Sequence, residues 1–312
     1  AFQDLSGGTG QSCQLTIAAT GAQFPNMVDA GQRIAGALTG EYGQLKRGQY
    51  RAAWGSDTTT LGEYDHYLRG HEFYMRLTEA DNERAGAAWR RGLEAYPDSA
   101  LLQVKLGFYH FMRPYLFFRA GAAADYARAG ALARTVLAAP HLSPLERRLG
   151  HWLFAYVSAA EGEFDRARRE VAATMEMAPY DAFQRGDLAS MLILACDATE
   201  ALRMLDGALA QDPASRPFYQ QLRGWALCVA GRHAESEAAL RESIDLPAVP
   251  LLQAINRVRL GRIDDARRAV ARALQQDATL TTEKWAAANF YRDPAILRGQ
   301  VAALRAAGLP GR

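Results

Sequence analysis

Six histidines and three cysteines are the side chains of this chain best suited to metal binding or nucleophilic chemistry, and their spacing supports neither. His66, His71, His110, His141, His151 and His233 form no HExxH helix motif and no paired His/Cys cluster. His66 and His71 stand five residues apart, the wrong relation for a tight pair on one helix face. Surface or interface positions are the simpler reading of all six. Cys13, Cys196 and Cys228 are odd in number and lack a CxxC spacing, which argues against a zinc ribbon or a dense disulfide frame. Cys196 and Cys228 fall in apolar helical patterns and read as buried structural thiols; in an oxidising compartment the alternative is one Cys196–Cys228 disulfide. No GxSxG, no P-loop and no GxGxxG after a strand occurs. Gly7-Gly-Thr-Gly10 lacks the lysine and the following helix that cradle phosphate, so it reads as a turn. Glu235, Asp264 and Asp265 stand at helix starts, where acids favour the helix dipole and face water. Nucleophile, base and oxyanion donor never assemble. The sequence therefore predicts a protein that is not an enzyme, with no metal and no cofactor.

Composition narrows the partner. The chain of 312 residues is 49% hydrophobic and 22% charged, within the range of folded soluble proteins. Its net charge of +2 is too small for a nucleic-acid surface. Lys46, Lys105 and Lys284 are the only lysines among 36 basic residues, and with so much Ala this reads as a GC-rich bacterial composition. No run of about 18 apolar residues occurs, so no membrane insertion is expected. Leu101 to Phe118 comes nearest and is interrupted by Lys105, His110, Arg113 and Pro114. The expected location is cytoplasmic, or periplasmic if Ala1 is a processed terminus.

The elements that must position any site announce themselves by repetition. Gly162-Glu-Phe-Asp-Arg-Ala167 returns as Gly231-Arg-His-Ala-Glu-Ser236 and as Gly261-Arg-Ile-Asp-Asp-Ala266. Each is followed by an amphipathic helix and a Pro or Asp-Ala stop. The interval from Ala167 to Ala201 is 34 residues, as is that from Pro179 to Pro213. A period of about 34 residues is that of the tetratricopeptide repeat, a stack of antiparallel helix pairs. Six repeats can be laid out from Leu61, ending near Pro97, Pro140, Pro179, Pro213, Pro247 and Ala278. The predicted fold is all-α: a right-handed superhelix, or solenoid, of about six such pairs. Residues 1–60 form an N-terminal addition, 61–280 the repeats and 281–312 a C-terminal cap.

Within the addition, Cys13-Gln-Leu-Thr-Ile17 alternates like one short strand. Met27, Ile34, Leu38 and Tyr42 share one helix face, and a weaker helix runs to about Trp54. Gly55-Ser-Asp-Thr-Thr-Thr60 marks a boundary and offers a helix cap. Tyr109 to Arg119 is the densest aromatic stretch, where Pro114 should kink or end a helix. It reads as the core of an enlarged pair, with a binding patch as the alternative. In the tail, Trp285, Ala288 and Phe290 form one apolar stripe and Ile296, Leu297, Val301 and Leu304 another, as a lid over the last repeat requires.

The first helix of each pair should line the concave face. In this register Gln103 and His110 face the groove from the second repeat, Trp152 and Tyr156 from the third, and Ser190 and Ile193 from the fourth. Phe218, Gln221 and Trp225 come from the fifth, Leu251 and Ile255 from the sixth. The set is apolar and aromatic, unlike repeat proteins that grip a C-terminal carboxylate with Lys, Arg and Asn. It suits capture of a helix or an extended peptide. The opposing expectation is that the chain's own N-terminal segment or tail fills the groove.

Two segments go beyond a generic repeat. Leu61-Gly-Glu-Tyr-Asp-His-Tyr-Leu-Arg-Gly70, with Leu77-Thr-Glu-Ala-Asp-Asn82 and Ala85, resembles the start of the repeat region that follows the catalytic domain in bacterial class III adenylate cyclases and in related winged-helix regulators. Asn289-Phe-Tyr-Arg-Asp-Pro294 and Leu304-Arg-Ala-Ala-Gly-Leu-Pro310 resemble the end of those chains, and Gln14 to Gly21 the end of the small α/β domain that precedes their repeats. The cyclase's metal and nucleotide residues belong to a domain with no counterpart here, so the resemblance implies a regulatory or sensory module and no catalysis. The expectations are thus a protein-interaction scaffold holding a peptide or helix on its concave face, a regulatory module of a cyclase or transcription regulator, or a structural subunit of a larger assembly.

Overall fold

The computed structural model describes residues 44–55 and 61–311. The expected strand at Cys13–Ile17, the helix over Met27–Tyr42, the cap at 56–60 and the glycine-rich turn lie outside them. The described residues hold fifteen α-helices and no strand. Helix α1 (Gln44–Gly55) precedes six pairs: α2 (Glu63–Tyr74) with α3 (Glu79–Ala95), α4 (Ala100–Tyr115) with α5 (Ala122–Ala138), and α6 (Pro144–Ala160) with α7 (Phe164–Met177). Then come α8 (Ala182–Leu194) with α9 (Ala198–Gln211), α10 (Arg216–Val229) with α11 (His233–Leu240), and α12 (Ala248–Arg259) with α13 (Ile263–Gln276). The tail adds α14 (Thr282–Ala288) and α15 (Pro294–Ala306).

The sequence starts these helices with side-chain caps. Thr78, Ser99, Ser143, Asp181 and Asp197 each accept a backbone N–H from the first turn of the helix they precede. Ser143 and Glu146 form a reciprocal capping box, with Pro144 at the first helical position. Between the helices of each pair, the chain passes through at least one left-handed residue. Gly162, Gly231 and Gly261 take φ of 79°, 75° and 74° there. The next residue's N–H then reaches back five residues, as from Arg232 to Leu227 O at 2.9 Å, which closes the helix end. The fourth repeat places Cys196 at this position with φ 63°. Cys196 therefore sits at a turn, not inside a helix as its apolar neighbourhood suggests, and neither it nor buried Cys228 is in a disulfide.

Each pair closes on small residues. At Gly70 of α2, the Trp89 indole of α3 lies where a side chain would begin: a Cβ would fall 2.1 Å from Trp89 Nε1. Trp89 is fully buried and donates to Tyr67 O at 3.3 Å. Successive first helices (α2, α4, α6, α8, α10, α12) pack directly on one another, whereas successive second helices do not. The stack therefore curves with the first helices inside, a helical solenoid.

The Tyr109–Arg119 stretch is core. Tyr109, Phe111, Met112, Phe117 and Phe118 are all buried, and Pro114 sits in the last turn of α4, near the helix end that its ring demands.

The tail turns inward. Besides packing α15 on α12, it lays α14 and the segment 289–293 against repeats far upstream. Trp285 stacks on Phe118, and Tyr126 Oη donates to Ala287 O at 3.2 Å. Arg292 N donates to Leu194 O at 2.8 Å, and Asp293 N to Cys196 Sγ at 3.3 Å. Of the three non-glycine residues with positive φ, Leu77, Phe118 and Cys196, the tail meets two: Trp285 stacks on Phe118 and Asp293 N–H reaches Cys196.

Candidate functional site

Among the described residues the curvature leaves a cavity on the concave side, with about 1050 Å³ of empty space including its open mouth. Its wall is built by helix periodicity. Tyr67, His71 and Tyr74 come from α2; Lys105, Phe108, Met112 and Tyr115 from α4; Leu149, Trp152 and Tyr156 from α6. Phe183, Asp187 and Ser190 come from α8, Phe218, Gln221 and Trp225 from α10, and Trp285, Ala288 and Asn289 from the tail. Spacings of three and four residues keep each set on one face.

Six of the eleven residues expected on the groove line this cavity: Trp152, Tyr156, Ser190, Phe218, Gln221 and Trp225. Gln103 and His110 do not. Gln103 Nε2 donates to Pro97 O at 3.0 Å, at the start of its own helix. His110 Nδ1 pairs with Asp125 of α5 at 3.0 Å, between the two helices of its repeat. The inner face of α4 instead carries Lys105, Phe108 and Met112, so the register expected for the second repeat is wrong and conceals a lysine. Ile193, Leu251 and Ile255 are buried in the core rather than in the cavity wall.

The tail occupies one side of the groove. Trp225 Nε1 donates to Tyr291 Oη at 2.7 Å, and Gln300 Nε2 donates to the same oxygen at 3.1 Å. Tyr291 Oη donates in turn to Asn289 Oδ1 at 3.2 Å. Phe290 packs among Phe111, Tyr115 and Tyr126. Burial pushes the Tyr291 phenol well above its ordinary range, so it stays a neutral donor and acceptor. The expectation that the chain fills its own groove thus holds for this side, and the cavity is what the tail leaves open.

Two opposite charges face this aromatic space, against the expectation of an uncharged groove. Lys105 is 2% exposed, and its Nζ lies 4.6 Å from the Tyr74 ring centre, 5.2 Å from Phe108, 5.3 Å from Trp89 and 5.8 Å from Tyr67. Such a ring box holds a cation by its π faces. Asp187, across the cavity, receives Trp152 Nε1–H at 2.9 Å and Tyr156 Oη–H at 2.7 Å, both on Oδ2. Burial raises its carboxyl to about 6, against the pull of those two hydrogen bonds and of Lys105. The side chain is enclosed by protein yet keeps some accessible surface, as a group facing an internal cavity does.

Several hydroxyl and thiol groups in and near the cavity are tied down or held protonated. Ser190 Oγ donates to its own helix at Asp187 O, 2.5 Å away, so its hydroxyl is not aimed at a base. Burial keeps Tyr115 and Tyr156 protonated far above neutrality. The Cys228 thiol is pushed up to about 12 by burial, away from the thiolate that reacts. Among the described residues no group of three or more His, Cys, Asp or Glu could hold a metal ion, and no helix is long and apolar enough to cross a membrane.

No family model and no curated protein matches the chain. Among solved structures, a tetratricopeptide repeat protein from Parabacteroides merdae is similar at 10% identity and a TM-score of 0.47, over 89% of this chain and 94% of that one. A thermophilic TPR protein from Thermus thermophilus is similar at 16% identity and a TM-score of 0.34, over 78% of this chain and 100% of that one. At such values the fold rests on the helix pairs themselves.

Proposed function

We propose that this chain is a non-catalytic binding module whose concave cavity receives one protruding group of a protein or peptide partner. The observation that carries the reading is the aromatic cavity left beside the tail, contributed by successive repeats and lined by Trp152, Tyr156, Phe183 and Phe218. Clustered aromatic pockets of this kind anchor single side chains and supply most of the affinity of a contact. The occupied side of the groove restricts the partner to one inserted group rather than a helix lying along the whole face. Display selection of peptides on the immobilised chain tests this. Phe183 stacks on Phe218 at 5.0 Å and is 8% exposed. Phe183→Ala should weaken selected peptides by about tenfold or more. Equal binding by chain and variant would place the partner elsewhere.

A second reading has its own support. The cavity wall, apolar and aromatic with a few polar groups, also suits a small molecule, and the chain would then act as a sensory module, as its resemblance to cyclase-linked repeats implies. A structural role in an assembly has no specific observation behind it.

A further inference from the structure

We infer that the cavity recognises an organic cation: an ammonium group carried on an apolar body, with Asp187 Oδ1 as its acceptor. The inference rests on the binding-module reading above and names the chemistry of the group inserted.

The geometry at Asp187 leads to it. Both protein donors to this carboxylate, Trp152 Nε1 and Tyr156 Oη, converge on Oδ2. Among the described residues, none donates a hydrogen bond to Oδ1. It is not among the sealed polar atoms of the interior, so it opens on the cavity. A carboxylate oxygen facing an enclosed aromatic space is a costly arrangement unless a donor meets it. The rings around it supply the second half of a cation site. Phe108 meets Trp152 edge-on at 5.8 Å, and Trp152 lies 6.4 Å from Phe183. Aromatic faces with one carboxylate form the chemistry that selects ammonium over neutral and anionic groups.

Lys105 does not reverse this choice. Its ammonium is drawn into the box of four rings on the α2–α4 side, and it is 2% exposed. Both line the cavity, but Asp187 keeps more accessible surface than Lys105, so an inserted group meets the carboxylate more readily than the ammonium. The ammonium can come from a peptide, as a lysine side chain or N-terminus, or from a free amine; the recognising chemistry is the same.

Calorimetric titration of the full chain at pH 7.5 tests the assignment with isosteric probes: 2-phenylethylammonium, 2-phenylethanol and 3-phenylpropanoate. A lysine-containing peptide and its acetyl-lysine counterpart form a second arm. The expected result is that 2-phenylethylammonium binds about tenfold or more tighter than the alcohol. Asp187→Asn should erase that preference while leaving the alcohol's affinity unchanged, which also shows that the variant's cavity is formed. Preference for the acylated peptide, the alcohol or the propanoate would overturn the cation and leave the binding-module reading standing. No binding of any probe up to about 10 mM would overturn both. Binding of the amine without the lysine peptide would keep the cation and assign its source to a small molecule.

Discussion

At the scale of single residues, Asp187 governs the chemistry of the concave face and is the hardest to see in the sequence. It lies three residues before Ser190 on the same helix face, within an otherwise apolar helix, and that interruption is its signal. Lys105 gives a similar signal, a lysine inside the apolar run from Leu101 to Phe108, in a chain with only three. Neither can be recognised as a cavity group from helical spacing alone, because what separates a cavity wall from a core is the curvature of the stack. Asp187 also carries a pH signature. Burial raises its carboxyl from 3.8 to about 6. Lys105 from α4, Tyr156 from α6, and Asp181 at the start of its own helix also act on it, and Tyr115 of α4 faces it. Between those pH values the native chain keeps a proton that the unfolded chain releases. The contribution to stability is therefore full below about pH 4, falls as pH rises through about 6 and is level above. Asp187→Asn keeps an oxygen for Trp152 and Tyr156 without the charge. Its stability relative to the parent should rise across that window, by roughly 3 kcal/mol at most. Denaturant unfolding of both proteins at pH 4, 5, 6 and 7.5 reads the difference; a flat difference would mean that the carboxyl is not perturbed.

Elements are the most legible scale, since they follow from local rules. The repeated Gly-x-x-x-x-Ala phrase places turns where the backbone needs positive φ, and Ser, Thr or Asp before most first-turn residues fixes helix starts. Register within a first helix is less legible. α4 carries apolar residues on most of its surface, so its pattern does not single out one inward face. The glycines separate two physical roles that look alike in sequence. Gly231 has φ 75° and nothing within 4 Å of a would-be Cβ, so Gly231→Ala should cost only the left-handed strain, about 1 to 2 kcal/mol. Gly70 has ordinary helical φ but meets Trp89 at 2.1 Å. Gly70→Ala must move a fully buried indole and should cost about 1 to 3 kcal/mol. The rescue distinguishes them. Asn, which tolerates left-handed φ, should recover part of the loss at position 231 and none at position 70. Thermal unfolding of the four variants measures this, and rescue at both positions would contradict the assignment.

The whole molecule departs most from what its repeats announce. A solenoid couples only neighbours, and its repeats unfold with stabilities set by adjacent interfaces. Here the tail links repeats that the chain separates widely. It stacks Trp285 on Phe118 of the second repeat, bonds Arg292 and Asp293 to the fourth, and ties Tyr291 to Trp225 of the fifth. The tail's apolar stripes are legible as a cover for something, but the site they cover is not. An amphipathic tail carries no information on which surface it meets. At the fourth turn Cys196 stands where three other turns carry glycine, and its sulfur accepts a backbone N–H of the docked tail. The consequence is cooperativity across the stack. Trp285 is 1% exposed and its Nε1 donates to Gln300 Oε1 at 3.1 Å. Trp285→Ala should cost about 3 to 5 kcal/mol. The loss should not stay local. Amide hydrogen exchange should accelerate in α4 and α5 as well as in α10 and α12, because removing the strap frees both ends of its span at once. Faster exchange confined to the tail and the last pair would mean that the chain behaves as an ordinary linear stack, with the tail an end cap alone. Faster exchange in α4 and α5 with α6 and α7 unaffected would locate the clamp at the Phe118 contact, since sequence neighbours alone cannot carry the effect past an intact repeat.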